Sequence, residues 1–247
     1  MRRPQNDLKD VSCFFFDFFD TIVSKGKLSP KTTVTHLYKS LRRLGYRLPE
    51  QEFVRIYSDT YRRYLKVRVE KLREVGSNVW VSEALKSLGY RVEPDDPSVI
   101  KAVDEQYVPL IRSTRLMPDT LKTLRQISKS YKLGLITNFT YANVIYKILD
   151  KLELMNFFQT VQISHEVGYR KPHSKIFQDA LKDLSLAPYE AVMVGDNPNE
   201  DIVGAFITGL RSVLVLRHSS YLQPSLQLIR PDFIIQGLKE LLGLIRL

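Results

Sequence analysis

Residues 14–22 read Phe-Phe-Phe-Asp-Phe-Phe-Asp-Thr-Ile, and five of the first six are phenylalanine. An uninterrupted apolar run bounded by polar residues predicts a strand buried on both faces. Asp17 lies inside it. A carboxylate there is costly to bury unless it is hydrogen-bonded, paired with a cation or bound to a metal. The position that reconciles the two is the C-terminal end of the strand, where open parallel sheets place their ligand crevices. Cys13 adjoins the run and reads as a small core residue. As the single cysteine it excludes an internal disulfide framework and a cysteine-rich zinc site.

Working outward, the chain separates into two kinds of pattern. Ser29-Pro30 starts a helix, with apolar residues at Val34, Leu37, Leu41 and Leu44 and Gly45 as its left-handed end. A long helical stretch is expected from Pro49 to Val75, ending near Gly76. A shorter one covers Val79–Leu88 and is closed by Gly89, and another runs from Asp96-Pro97 to Ile111. Residues 24–112 therefore read as an all-helical insert of about four helices. From Met117 the pattern alternates. A helix from Pro118 to Lys129 precedes a strand at Lys132–Thr137, a helix at 141–152, a strand at 159–164 and a helix at 173–184. Strands at Ala191–Val194, Ser212–Leu216 and Phe233–Ile235 follow, with a helix at 199–208 between the first two and a terminal helix to the chain end. This order predicts a doubly wound, parallel, Rossmann-like α/β sheet. The core would comprise residues 1–23 and 113–247, with 24–112 as a cap above the C-terminal edge of the sheet, where a lid is useful.

Composition is that of a soluble globular protein of 247 residues, 44% apolar and 26% charged. The phenylalanine run is too short and too acidic for a signal peptide or a membrane span. Asp7, Lys9 and Asp10 interrupt any apolar stretch after Arg2 and Arg3, so a cytoplasmic protein without membrane partners is expected. The net charge of +10 suits nucleic acid, anionic small molecules or simply a basic surface. Most of the excess lies in residues 24–112, with 18 Lys/Arg against 11 Asp/Glu. Arg62, Arg63, Lys66, Arg68, Lys71 and Arg73 follow one another along the long helix, with Tyr57, Tyr61 and Tyr64 among them. They could form an anion-facing lid or a nucleic-acid surface. The preferred reading is a solvated face laced with Glu70 and Glu74, with the aromatics in the core. His36, His165, His173 and His218 show no metal-ligand spacing and read as surface or loop residues.

Three more polar clusters close predicted strands or open helices. Thr137-Asn138 ends Leu-Gly-Leu-Ile and offers a hydroxyl and an amide to an anion. Gly168-Tyr169-Arg170-Lys171-Pro172 fixes a lysine before a helix-opening proline. Gly195-Asp196-Asn197-Pro198-Asn199-Glu200-Asp201 puts two acids five apart across a strand-to-helix turn, where Asn199 or Asp201 could alternatively cap the helix. If all four clusters meet, Asp17, Asp196 and Asp201 repel one another unless a cation is bound. Mg²⁺ suits such a carboxylate site, since it keeps waters and shares phosphate oxygens. With Lys171 adding positive charge opposite, the site suits a phosphoryl group attacked by a carboxylate. No Walker-type Gly-x-x-x-x-Gly-Lys-Ser/Thr stretch is present.

The order of these clusters resembles the haloacid dehalogenase-like (HAD) hydrolase superfamily over essentially the whole chain. Asp17-Phe18-Phe19-Asp20-Thr21 is similar to its first motif and Leu135-Ile136-Thr137-Asn138 to its second. Lys171-Pro172 with Lys175-Ile176-Phe177 is similar to the third, and Gly195-Asp196 to Asp201 with Gly204-Ala205 and Gly209 to the fourth. The resemblance implies a cap between the first two motifs and a Mg²⁺-dependent phosphatase of small phosphorylated metabolites. It implies Asp17 as nucleophile forming an aspartyl-phosphate, and Asp17, Asp196, Asp201 and the carbonyl of Phe19 as metal ligands. Thr137 and Lys171 would hold phosphoryl oxygens, and Asn138 would orient the substrate or the site. In the family's phosphatases the position of Phe19 carries an aspartate that acts as general acid and base. Asp20, one residue on, points the other way in an extended run and should not replace it. The departure favours a leaving group that needs no proton, such as an aryl or acyl phosphate. It also raises two alternatives, a metal-free 2-haloacid dehalogenase, which carries an aromatic there, and a low-activity phospho-ligand-binding protein. Asp196 argues for the phosphatase, because three uncompensated acids would crowd a metal-free site.

Overall fold

The computed structural model describes residues 7–26, 29–216 and 229–245. Arg2, Arg3, His218 and the last two residues of the expected terminal helix lie outside them. Strand β1 is Cys13–Phe16, and its apolar run is explained by its neighbours. Phe14 and Phe16 join the large core on one face of the sheet, while Cys13 and Phe15 join a second core on the other. All four are fully buried, so burial is what fixes this strand at the centre.

After β1 the chain makes a short strand β2 (Val23–Ser24) and enters the helices α1 (Pro30–Arg43), α2 (Glu50–Lys71), α3 (Ser77–Ser87), α4 (Pro97–Gln106) and α5 (Val108–Ser113). Strand β3 (Arg115–Leu116) then pairs antiparallel with β2, so the helical excursion leaves and returns at one place. The helices pack on each other through residues such as Leu37, Phe53, Trp80 and Val103, all buried. The rest alternates: α6 (Thr120–Ile127), β4 (Lys132–Thr137), α7 (Ala142–Lys151), β5 (Thr160–Ile163), α8 (Ser164–Val167), α9 (Ser174–Leu184), β6 (Ala191–Gly195), α10 (Val203–Thr208), β7 (Arg211–Val215) and β8 (Phe233–Ile235). The main sheet runs β5-β4-β1-β6-β7-β8 with every pairing parallel. Chain direction reverses its progress across the sheet at β1, which makes the C-terminal ends of β4, β1 and β6 the ligand crevice of a doubly wound fold.

The helix expected at 199–208 starts only at Val203, after a wide turn over Pro198–Ile202, and three further elements differ from the sequence reading. Helix α2 ends at Lys71, four residues early, with Leu72 left-handed at φ 51°. Tertiary pairing overrides helix propensity there: the Leu72 carbonyl accepts from Arg170 N–H and Glu74 N–H donates to the Gly168 carbonyl. The helix expected from Pro97 to Ile111 breaks at Tyr107, because Pro109 lacks an N–H and its ring would crowd the carbonyl four residues back. The expected terminal helix is a tight turn-like helix, Leu238–Gly243.

Gly134, opposite Phe15 in β4, leaves the space that the Phe15 ring occupies. A methyl group there would meet Phe15 Cδ1 at 2.6 Å and Thr160 Cγ2 at 2.8 Å. Gly134→Ala should therefore overpack the central strands and lower unfolding free energy by about 1–3 kcal/mol in urea titration.

Candidate active site

Asp17 follows β1 directly, and its N–H donates to the Val194 carbonyl at 2.9 Å, so its backbone still rides on the sheet. Thr137 is the last residue of β4, and Asp196 follows the last residue of β6. The sheet thus delivers three of the four motifs to one edge. The fourth arrives in the loop before α9: Lys171 is fully buried, and its Nζ donates to Asp17 Oδ1 at 2.6 Å, Asp201 Oδ1 at 2.7 Å and the Ile136 carbonyl at 2.8 Å. An ammonium has three hydrogens, and all three are used. Lys171 therefore stands between two of the acids rather than opposite them.

Asn138 serves that lysine. Its Oδ1 accepts from Lys171 N–H at 2.8 Å and its Nδ2 donates to the Lys171 carbonyl at 3.1 Å. Asp201 is placed by a wide turn over Pro198–Ile202 that precedes α10. Its Oδ2 accepts from Asn197 N–H at 3.0 Å. The helix cap is Asn197, whose side chain accepts from the N–H groups of Asn199 and Glu200, and neither Asn199 nor Asp201 takes that role. Gly195 makes room for Asp201: a Cβ there would overlap its carboxylate. Thr21, quoted in the first motif without a role, donates to Asp196 Oδ1 at 3.4 Å.

Carboxylate oxygens of Asp17, Asp196 and Asp201 lie within 4.8 Å of one another. Two ligands on one Mg²⁺ at about 2.1 Å each can be at most about 4.2 Å apart, and one intervening water extends that reach, so this donor set fits the ion. The electrostatics say the same. Burial, followed by the Asp17 and Asp20 carboxylates, pushes Asp196 up to about 7. Burial raises Asp201 too, against the pull of Lys171. Burial alone would lower Lys171, but Asp17, Asp201 and Glu200 together hold it above the usual lysine range. Three acids around one ammonium leave an excess of negative charge, which proton uptake or a further cation balances.

Asp20, expected to point away from Phe19, lines the same small cleft as Phe19, Asp17, Thr137 and Asp196, because β1 ends at Phe16 and its two-residue alternation does not reach these positions. The Phe19 ring is buried, edge-on to Phe18 at 5.0 Å and tilted against Phe139 at 5.5 Å, with Lys25 Nζ 5.0 Å above it. Asp20 has left-handed backbone at φ 62° and pairs with Lys25 at 3.4 Å.

The sequence reading missed one cluster altogether. Glu74, expected on a solvated helix face, is buried, and its carboxylate takes hydrogen bonds from Arg68 Nε, Ser164 Oγ and Val75 N–H. Arg170 reaches the same carboxylate at 3.7 Å and Glu200 at 3.1 Å. Here the loop that carries Lys171 is bound to the helical segment. The other basic side chains fit the expected solvated face, with Arg55 and Arg62 paired to Asp59, Arg63 to Glu83 and Lys66 to Glu70. Among the histidines, His36 is exposed, His173 caps α9, and His165 is half-buried beside Tyr141.

A parallel α/β sheet with acids at the ends of β1 and β6 and a buried lysine between them defines a class of hydrolases. The family model described as haloacid dehalogenase-like hydrolase matches residues 11–206, and the chain belongs to that family. It is 30% identical over 239 residues to a glyceraldehyde 3-phosphate phosphatase of Pyrococcus furiosus, covering 95% of this chain and 93% of that one. Over a shorter stretch of 87 residues, 35% of this chain and 34% of the other, it is 42% identical to a phosphoserine phosphatase of Thermus thermophilus. The fold is shared with a HAD phosphatase from Thermococcus onnurineus (TM-score 0.64, 24% identity, 96% and 100% of the chains covered). It is shared equally with a 2-haloacid dehalogenase from Pseudomonas syringae pv. Tomato DC3000 (TM-score 0.63, 22% identity, 95% and 97% covered). Fold likeness therefore does not separate the two chemistries. No helix among the described residues is long and apolar enough to cross a membrane.

Two outcomes test the site without reference to turnover. Mg²⁺ at a hundred times its Kd should stabilise the protein by about 2.7 kcal/mol, read as a rise in Tm. Asp196→Asn should raise the Tm of the metal-free protein, by removing one of three crowded charges, and should abolish the Mg²⁺ response. Separately, Glu74→Gln should destabilise the fold by about 3 kcal/mol or more in urea, because Arg68 and Arg170 lose a buried counter-charge.

Proposed function

We propose that the protein is a Mg²⁺-dependent phosphatase of small phosphorylated metabolites that works through an aspartyl-phosphate on Asp17. The observation that carries this reading is the meeting of Asp17, Asp196 and Asp201 around Lys171 at the sheet's C-terminal edge. Relatives named as phosphatases, over nearly the whole chain or part of it, support it. Asp17, Asp196, Asp201 and the carbonyl of Phe19 would hold the ion, and residues 24–112 would serve as the cap. When bound, Mg²⁺ neutralises the carboxylates and withdraws charge from the phosphoryl oxygens.

The chain's own residues divide the remaining work. Lys171 ties up one oxygen of Asp17, which fixes the carboxylate's orientation and leaves the other oxygen to attack phosphorus. A phosphoryl oxygen arriving beside Asp17 competes for a Lys171 hydrogen, and the Thr137 hydroxyl lines the same cleft. Asn138 keeps the Lys171 backbone in register and is a positioning residue. Phe19 stands where a proton donor would be needed for an alkoxide leaving group. Positioned proton transfer contributes about 10²–10⁴-fold, so hydrolysis of alkyl phosphates should be slow by that factor.

Phe19 is also the observation that favours the second reading, a 2-haloacid dehalogenase using Asp17 on carbon. Against it stands Asp196, whose charge a metal-free site would leave unbalanced. Phosphate release from p-nitrophenyl phosphate should require Mg²⁺ and vanish in Asp17→Asn. Phe19→Asp should raise kcat on alkyl phosphates about 10²–10⁴-fold. Turnover of 2-chloropropionate without Mg²⁺, and without any phosphatase activity, would establish the dehalogenase instead. Saturable phosphate binding with no product from either substrate would make the protein a phospho-ligand binder.

A further inference from the structure

Beside the catalytic cleft lies a second cavity of about 730 Å³, large enough for a ring-sized organic group. Its walls come from both halves of the molecule: Tyr57, Tyr61 and Arg68 of α2, Trp80 of α3, Tyr107, and Phe139 just after β4. Asn138 lines this cavity and the catalytic cleft alike. The aromatic lining is continuous with the reacting centre. Phe19 beside Asp17 packs on Phe139 at 5.5 Å, and Phe139 packs on Tyr107 at 5.4 Å. On the far wall Tyr61 meets Trp80 edge-on at 5.5 Å.

The cavity wall is mostly apolar, with Arg62 and Arg68 its only charged side chains among the described residues. Arg68 stacks over Trp80 at 6.0 Å but spends its charge on the buried carboxylate of Glu74. Arg62 at the rim is paired with Asp59 at 2.5 Å. Arg68 is committed to a buried carboxylate and Arg62 lies at the solvent-exposed rim, so the inner wall offers no uncommitted charge for a second phosphate or a carboxylate on the substrate. Phe19 adds an independent constraint, since the leaving group must depart as an anion without a proton from the protein. An alkoxide does so poorly, whereas a phenolate does so readily because the ring delocalises its charge.

From these two lines we infer that the substrate is the phosphate monoester of an aromatic hydroxyl, its uncharged ring held in the cavity between the helical segment and the sheet. The inference rests on the phosphatase reading above. An Asp17 oxygen forms a bond to phosphorus as the bond from phosphorus to the ring oxygen breaks, and that electron pair leaves on the phenolate. Water then attacks the phosphorus of the aspartyl-phosphate, its proton passes to bulk water, and the Asp17 carboxylate is restored with release of phosphate.

Four esters separate the contributions in the wild-type protein with Mg²⁺: phenyl, benzyl, glycerol 3- and acetyl phosphate. Benzyl phosphate keeps the ring but leaves as an alkoxide, so kcat/KM should fall about 10²-fold or more relative to phenyl phosphate. Acetyl phosphate has a good leaving group and no ring, so its KM should be about tenfold higher or more. Trp80 is the single tryptophan of the chain, so its fluorescence reports directly on the cavity. Benzylphosphonate, which replaces the ester oxygen of phenyl phosphate by CH₂ and cannot be hydrolysed, should change it saturably. Methylphosphonate should not. Equal kcat/KM for glycerol 3-phosphate and phenyl phosphate, or an unresponsive Trp80 with equal KM for acetyl and phenyl phosphate, overturns the aryl inference and leaves the phosphatase standing. Absence of Mg²⁺-dependent phosphate release from all four overturns both.

Discussion

One buried ammonium group organises this molecule. Lys171 gives its three hydrogens to Asp17, Asp201 and the end of β4, and no part of it is in water. A buried charge is tolerable only when its partners hold good geometry, and much of the surrounding structure supplies that geometry. Asn138 grips the lysine's backbone from both sides. Gly195 leaves room for the Asp201 carboxylate. Ile136 lends a carbonyl from β4, next to the central β1, so the lysine is tied directly to the sheet. Yet three acids share this one ammonium. At Asp196 burial and the carboxylates of Asp17 and Asp20 outweigh Lys171 and Lys25, which is why it is held far above the usual carboxylate range. The arrangement that orients Asp17 thus also gathers carboxylates in the number and spacing a divalent ion fits.

The helical segment is bound to this centre by a second buried charge cluster. Glu74 accepts from Arg68 on α2 and from Ser164, which opens α8 directly after β5, and Arg170 links it to Glu200 in the cleft. Backbone bonds on either side, from Arg170 to Leu72 and from Glu74 to Gly168, make a short ladder between the loop of Lys171 and the end of α2. The cavity's Arg68 and the catalytic loop's Arg170 thus share one carboxylate. A group entering the cavity meets a wall whose charge is already committed to holding the catalytic loop.

What the sequence made legible was what depends on local pattern. The phenylalanine run, the alternation after Met117 and the polar residues at strand ends fixed the sheet and brought Asp17, Thr137, Lys171 and Asp196 to one edge. What it hid depends on partners remote in the chain. Glu74 looks like one more acid on a basic helix, and only Ser164, ninety residues on, turns it inward. The end of α2 carries no glycine or proline before Gly76, so its stop at Lys71 is invisible until the Lys171 loop lies beside it. By its residues alone Asn138 reads as an amide offered to an anion, because nothing local says that it is spoken for by a backbone thirty-three residues away. Pro109 was a different case, a local signal strong enough to break the helix that the apolar spacing carried past it.

Phe19 shows how one side chain can alter two properties of a site together. Asp20 shares the cleft, but its carboxylate is paired with Lys25. The position beside Asp17 is filled by the Phe19 ring, whose neighbours are Phe18 and Phe139. On the phosphatase reading proposed above, the lack of a proton donor lowers the reactivity of any leaving group of high pKa, and the ring extends an aromatic wall from the cavity to the side of Asp17. Both effects then act on the same half of the substrate, the half that departs, and in the same direction. The phosphoryl half would be left to Lys171 and the Thr137 hydroxyl.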